Sequence, residues 1–204
     1  MLLLLSLRSV LRKQRAKTYF KGKHVWVTGA SSGIGQQVAQ ELALRGARVT
    51  MSARSRRKMS AMAKELVSDG FAATCVPLDV SEAYATIATA HRTAVGNYGP
   101  VDILIANAGI NNRGNKFAEL SEDTIEQVIS TNFKGTVYCV KAVLPTMIQR
   151  KKGLVASVSS LSGYRGLPRG SVYGGTKAAI SNFMEAVRVE LWGSGIKVNI
   201  CGFS

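Results

Sequence analysis

The chain has 204 residues, enough to bury one full core, and 46% of them are hydrophobic, which separates it from disordered sequences. Three cysteines without metal-like spacing (Cys75, Cys139, Cys201) and two isolated histidines (His24, His91) exclude a zinc site built from the usual ligands and predict buried free thiols in a reducing, intracellular compartment. The net charge of +15 comes with no aromatic-interleaved basic stripe, so no nucleic-acid partner is expected.

Seven basic residues, Arg8 to Lys23, precede the first acidic one, Glu41; the other 20 basic residues face 12 acidic ones, a net of +8. Residues 1–21 read as a basic amphipathic leader or tail, distinct from a domain at 22–204. The apolar run Met1–Leu5 is far shorter than the ~20 residues of a spanning helix. Leu3, Leu7, Val10 and Leu11 share one helical face while Arg8, Arg12 and Arg15 share another. That pattern suits a peripheral membrane contact or a mitochondrial presequence, and a disordered basic tail is the alternative.

From His24 onward strands and helices alternate. His24–Thr28 is a short apolar strand, followed by Gly29-Ala30-Ser31-Ser32-Gly33-Ile34-Gly35. Val38, Leu42 and Ala43 then carry a helical repeat that stops at Gly46. Further strands are predicted at Ala47–Ala53, Ala72–Leu78, Val101–Ala106, Leu154–Ser159 and Ile196–Cys201. Helices are predicted at Arg56–Asp69, from near Ser81 to Asn97, starting at Ser121, over a long run near Lys134–Arg150, and over Ser171–Trp192. Six strands joined by helices imply a Rossmann-like, doubly wound parallel sheet with helices on both faces.

Three glycines between a strand and a helix let the backbone approach a phosphate, which the first N–H groups of the helix attract. The spacing Gly29-x-x-x-Gly33-x-Gly35 differs from the G-x-G-x-x-G form, and an ordinary strand–helix turn is the alternative. After the second strand the chain reads Ser52-Ala53-Arg54-Ser55-Arg56-Arg57-Lys58, with no carboxylate to hold two ribose hydroxyls. Arg54 suits a bidentate grip on a 2′-phosphate, so NADP is expected over NAD. Arg56, Arg57 and Lys58 read in part as solvated helix-start residues.

Tyr173 and Lys177 are four residues apart and share a helix face. A phenol titrates near pH ~10, and a cation alongside lowers that value by roughly 1–3 units. Ser160 ends a strand 13 positions earlier, and Gly163, Gly166, Pro168 and Gly170 allow the loop to fold back towards Tyr173. These three residues read as a proton-transfer device: a tunable phenol, a cation and an orienting hydroxyl. A surface Tyr-x-x-x-Lys pair is the bland alternative.

Taken together the motifs resemble the short-chain dehydrogenase/reductase family, from about Lys23 to Gly202. Thr28-Gly29-Ala30-Ser31-Ser32-Gly33-Ile34-Gly35 matches its cofactor loop, Leu78-Asp79-Val80 its adenine-contacting acidic site, and Asn107-Ala108-Gly109 its motif after the fourth strand. The resemblance implies catalytic roles for Asn132, Ser160, Tyr173 and Lys177. It also implies cofactor contacts from Thr28, Gly29, Ser31, Ser32, Gly33, Ile34, Gly35, Arg54, Asp79, Val80, Asn107, Ala108, Gly109, Tyr173 and Lys177. The implied reaction is hydride transfer between NADP(H) and a small-molecule carbonyl or secondary alcohol, lipid-like in the version that fits the leader. Tyr173 is the implied general acid/base, and Asn132 positions a relay water. A homodimer or homotetramer formed through the two long helices is implied as well. Two departures stand out. Val198-Asn199-Ile200-Cys201-Gly202 lacks the family's Pro-Gly, and the chain stops at Ser204, before the usual substrate-covering segment and seventh strand. The sixth strand is thus expected at an edge, with a pocket wall missing. The competing expectation is a truncated, catalytically silent form that binds cofactor or dimerises. Location is expected in the cytoplasm or on the cytoplasmic face of a membrane, with the mitochondrion as the alternative.

Overall fold

A computed structural model describes residues 18–111 and 114–203. The leader expectation therefore lies outside the described residues, except that Thr18–Phe20 form one helical turn. Six strands build the sheet: β1 (His24–Thr28), β2 (Arg48–Ser52), β3 (Ala73–Cys75), β4 (Ile103–Ala106), β5 (Gly153–Ser160) and β6 (Ile196–Phe203). All five pairings are parallel and the spatial order is β3-β2-β1-β4-β5-β6. The expected doubly wound architecture is thus present, with β6 at an edge.

The central strands are buried on both faces because helices cover each side, which is why they read as continuous apolar runs. Val25, Val27, Val49, Met51 and Ile103 pack against α1 (Gly33–Leu44) and α2 (Arg56–Ser68). Trp26, Leu104, Val155 and Val198 point the other way, into a core shared with α3 (Tyr84–Tyr98), α5 (Gly135–Gln149) and α6 (Ser171–Glu190). Trp26 is fully buried, and its indole N–H donates to the Ser52 hydroxyl at 2.9 Å.

Three expectations need correction. β3 is shorter than Ala72–Leu78, although Val76 and Leu78 still donate to Met51 and Ala53 of the neighbouring segment. The third helix starts at Tyr84 rather than near Ser81, because the Asp79 carboxylate takes the Ser81 N–H and hydroxyl and holds a turn there. The thiols are not uniformly buried. Cys139 is, Cys75 is half-buried, and Cys201 in β6 is exposed.

The helix start at Ser121 and the long helix near Lys134–Arg150 are both present, joined by a turn the sequence does not announce. α4 (Glu122–Ile129) starts at Ser121, whose hydroxyl accepts the Thr124 N–H, and a π-turn at Ser130–Lys134 joins it to α5. Arg150, just past α5, ties that end to the sheet through Asp102 Oδ1 at 2.8 Å and the Val101 carbonyl at 2.6 Å.

Burial lowers the proton affinity of both histidines. The His24 ring bonds to the Gly99 carbonyl and the Thr50 hydroxyl, whereas His91 Nε2 has no hydrogen-bond partner among the described residues and its ring stacks 5.7 Å from Trp26. Folded values below the usual 6.5 mean that the unfolded chain binds more protons as pH falls through 6.5. Stability is therefore full above that pH and declines below it. His91→Phe should leave stability at pH 7 unchanged or higher and flatten the fall in Tm between about pH 6.5 and 5. Thermal melts across that range check it, and an undiminished slope would count against the assignment.

Candidate active site

A cleft of about 410 Å³ opens above the carboxyl ends of β1 and β4, where the strand order reverses and doubly wound sheets hold their ligands. Its floor begins where β1 ends. The Thr28 hydroxyl accepts the N–H groups of Asn107 and Ala108 at 3.1 and 3.2 Å, and the Asn107 amide donates to the carbonyls of Thr28 and Gly29. This clamp holds the exits of β1 and β4 together.

Gly29 turns the chain with φ +67°, and a side chain there would lie 2.8 Å from the Ala108 Cα. A Cβ on Gly35 would collide with the Gly29 carbonyl and the Asn107 amide, so this glycine is what lets α1 sit directly on the loop. Ser32 precedes the helix in an extended conformation and makes no side-chain cap. The first N–H groups of α1 therefore meet the cleft without an acidic residue or a capping side chain, a setting that favours a phosphate.

Arg54 is exposed and lines the cleft beyond β2, but Arg56, Arg57 and Lys58 do not line it. Those three occupy the first turn of α2, which holds no acid. Cations at a helix N-terminus oppose its dipole, so this corner is short of negative charge. Leu78, Asp79 and Val80 form the next stretch of wall.

The opposite wall is α6. Its first turns carry Tyr173 and Lys177, both lining the cleft, with the Lys177 ammonium 5.6 Å from the centre of the Tyr173 ring. Lys177 is only 3% exposed and donates to the Val158 carbonyl at 2.8 Å. Burial pushes its pKa down to about 8. The passage here is narrow: a Cβ on Gly109 would lie 3.5 Å from the Lys177 Nζ and 3.3 Å from Asn132 Oδ1.

Asn132 sits in the π-turn and is fully buried. Its Oδ1 accepts the Ile110 N–H at 2.8 Å, and its Nδ2 donates to the Ile110 carbonyl and the Thr176 hydroxyl. The Thr136 hydroxyl donates to its main-chain carbonyl at 2.7 Å. Ser160 ends β5 at 7% exposure, and its hydroxyl accepts the Ser162 N–H at 3.2 Å. The expected fold-back of the following loop is present. A Cβ on Gly163 would come within 2.9 Å of the Lys177 backbone, and one on Gly174 within 2.8 Å of the Ser162 carbonyl.

Of the residues expected to form a site, Gly29, Ser31, Ser32, Ile34, Gly35, Arg54, Asp79, Val80, Asn107, Ala108, Gly109, Tyr173 and Lys177 line this one cleft. Thr28, Gly33, Asn132 and Ser160 stand outside its lining. Sequence reasoning missed Ala53, Ser55, Ile110, Asn111, Thr131 and Val158 as lining residues, while Leu78 of the matched Leu78-Asp79-Val80 motif lines the cleft too. Each lies within two residues of a predicted one or ends a predicted strand, and that adjacency was the available signal.

The chain belongs to the short-chain dehydrogenase family, whose model matches residues 23–203. The members are oxidoreductases. A protein of Myxococcus xanthus named as an uncharacterized oxidoreductase is 40% identical over 172 residues, covering 84% of this chain and 67% of that one. The 3-ketodihydrosphingosine reductase of Bos taurus is 37% identical over 174 residues, 83% of this chain but 52% of its own length. The chain thus spans little more than half of that relative. Among solved structures, a metagenomic short-chain oxidoreductase in complex with NADP superposes with a TM-score of 0.85 at 30% identity, over 90% of this chain and 82% of that one. The cradle, the unopposed helix N-terminus and the cationic corner fit such a dinucleotide.

Proposed function

We propose that this chain is an NADP-dependent oxidoreductase acting on a carbonyl or secondary alcohol, with Tyr173 as general acid/base. The observation that carries the reading is the buried Lys177 beside Tyr173, in the wall of the cleft into which the glycine loop opens. A bound nicotinamide supplies the hydride chemistry, and the protein supplies position and protons. Tyr173 gives its hydroxyl proton to the oxygen that becomes the alcohol, or takes it back in the reverse direction. Ser160 orients that oxygen, Lys177 holds the ribose end of the cofactor and draws negative charge towards Tyr173, and Asn132 holds the water of a proton relay. The glycine loop and the first turn of α1 bind the pyrophosphate, Asn107, Ala108 and Gly109 bound the nicotinamide half, and Asp79 and Val80 face the adenine. Arg54, with the cations of α2 behind it, selects the 2′-phosphate.

The substrate class is a lipid-like ketone, supported by the likeness to the bovine 3-ketodihydrosphingosine reductase and by the basic amphipathic pattern of residues 1–21. That leader gives peripheral contact with a membrane; among the described residues no helix is long and apolar enough to cross one. Assembly as a homodimer or homotetramer through α5 and α6 belongs to the same reading.

The test is NADPH oxidation by the purified chain with a panel of ketones that includes a long-chain 3-keto amine. Tyr173→Phe should lower kcat by roughly 10²–10⁴-fold and leave the Kd for NADPH within twofold. Arg54→Asp should weaken NADPH binding at least tenfold, since a charge-assisted contact contributes about 1.5–3 kcal/mol, while NADH binding holds or improves. Binding of NADPH without turnover of any carbonyl would favour the catalytically silent alternative, and tighter wild-type binding of NADH than NADPH would refute the role of Arg54.

A further inference from the structure

We infer that Thr176 is a positioning residue that fixes Tyr173 relative to the β4 exit by joining Asn132 to the first turn of α6. Its role in turnover rests on the function proposed above, but the tie itself does not. Thr176 is 5% exposed, and its single hydroxyl makes two bonds. It donates to the Tyr173 carbonyl at 2.7 Å and accepts from Asn132 Nδ2 at 3.1 Å. Asn132 in turn pairs with Ile110 through both Oδ1 and Nδ2, in the manner of one strand beside another. Ile110 lines the cleft directly after Asn107-Ala108-Gly109. Three segments far apart in sequence are therefore chained through one hydroxyl: the β4 exit, the π-turn and the turn that bears Tyr173.

The bonding allowances show why the hydroxyl cannot be replaced from within the site. Asn132 has two N–H donors and one carbonyl oxygen, and Ile110 takes one donor and supplies the bond to the oxygen. The remaining N–H faces Thr176 in a fully buried setting, where an unpartnered donor is costly. Valine matches threonine in shape but offers no oxygen. With it, the Asn132 amide must turn to find a partner, and either Ile110 or the π-turn moves with it. Serine keeps the oxygen and loses only a methyl group.

Two readouts test this with the full chain. Amide hydrogen exchange at residues 107–111 reads the tie directly, with or without turnover. Thr176→Val should speed exchange of the Ile110 amide at least tenfold, and Thr176→Ser should leave it within twofold of wild type. In turnover, Thr176→Val should lower kcat about tenfold with the KM for NADPH within twofold, and Thr176→Ser should restore it. A general packing role would instead lower Tm in both variants and leave the local exchange pattern unchanged. Unaltered exchange at Ile110 in a folded Thr176→Val protein would overturn the inference. Loss of turnover in wild type, with the exchange contrast intact, would defeat the proposed function alone.

Discussion

Replacing Lys177 with methionine should make the protein more stable and inactive in the same step. Burial at 3% exposure holds the ammonium pKa near 8, against 10.5 for a free lysine. The folded state therefore resists charging a group that the unfolded chain charges freely. Where the two states differ, between about pH 8 and 10.5, the unfolded chain binds more protons and stability rises with pH. Below about pH 8 the full cost is present, about 3 kcal/mol at ~1.4 kcal/mol per unit. Methionine removes that cost and forfeits the bond to the Val158 carbonyl, leaving a net gain of about 1–2 kcal/mol at pH 7. That corresponds to a Tm higher by roughly 2–8 °C for a domain of this size. The advantage should shrink as pH rises from 8 to 10.5, because wild type recovers its own stability there. Activity should fall at least ~10²-fold. Melting curves at pH 7 and 10 check the first part, and a variant less stable than wild type at pH 7 would remove the claimed desolvation cost.

Two glycines two residues apart should respond very differently to alanine. At Gly35 the added methyl collides with the Gly29 carbonyl and the Asn107 amide, neither of which can retreat without opening the clamp between β1 and β4. We expect Gly35→Ala to cost about 3 kcal/mol or more and to abolish dinucleotide binding in whatever fraction folds. Gly33 has open space around its missing Cβ but a φ of +55°, so Gly33→Ala carries only the left-handed backbone cost of about 1–2 kcal/mol. Urea unfolding of both variants decides it. Equal losses would mean that the contact at Gly35 relaxes without consequence.

Much of this was legible in the sequence, for reasons of period and punctuation. Strands buried on both faces read as apolar runs, and the glycine loop announces itself because only a residue without a side chain fits at Gly29 and Gly35. The Tyr173–Lys177 pair is visible because helix geometry puts residues four apart on one face. The π-turn was not visible: Ser130–Lys134 is held open by Asn132 reaching Ile110, a contact 22 residues distant in sequence. Thr176 escaped notice for the same reason, since its partner Asn132 lies 44 residues away. For Cys201 the sequence does carry a signal of exposure. Ile196, Val198 and Ile200 alternate with Lys197, Asn199 and Cys201, and a period of two places the thiol on the polar side of β6.

The π-turn has a consequence for how this rod of helix is wound. Residues 122–149 run as one continuous shaft, but the wider turn sets its second half out of phase with its first. Rewinding Ser130–Lys134 as regular α-helix with every residue kept would rotate everything on one side of it by about 100°. The apolar faces of α4 and α5 would then disagree about which side is the core, and Asn132 would swing away from Ile110. The shaft thus works as a keyed coupling, in which a slip of one tooth sets a buried amide against the loop leaving β4.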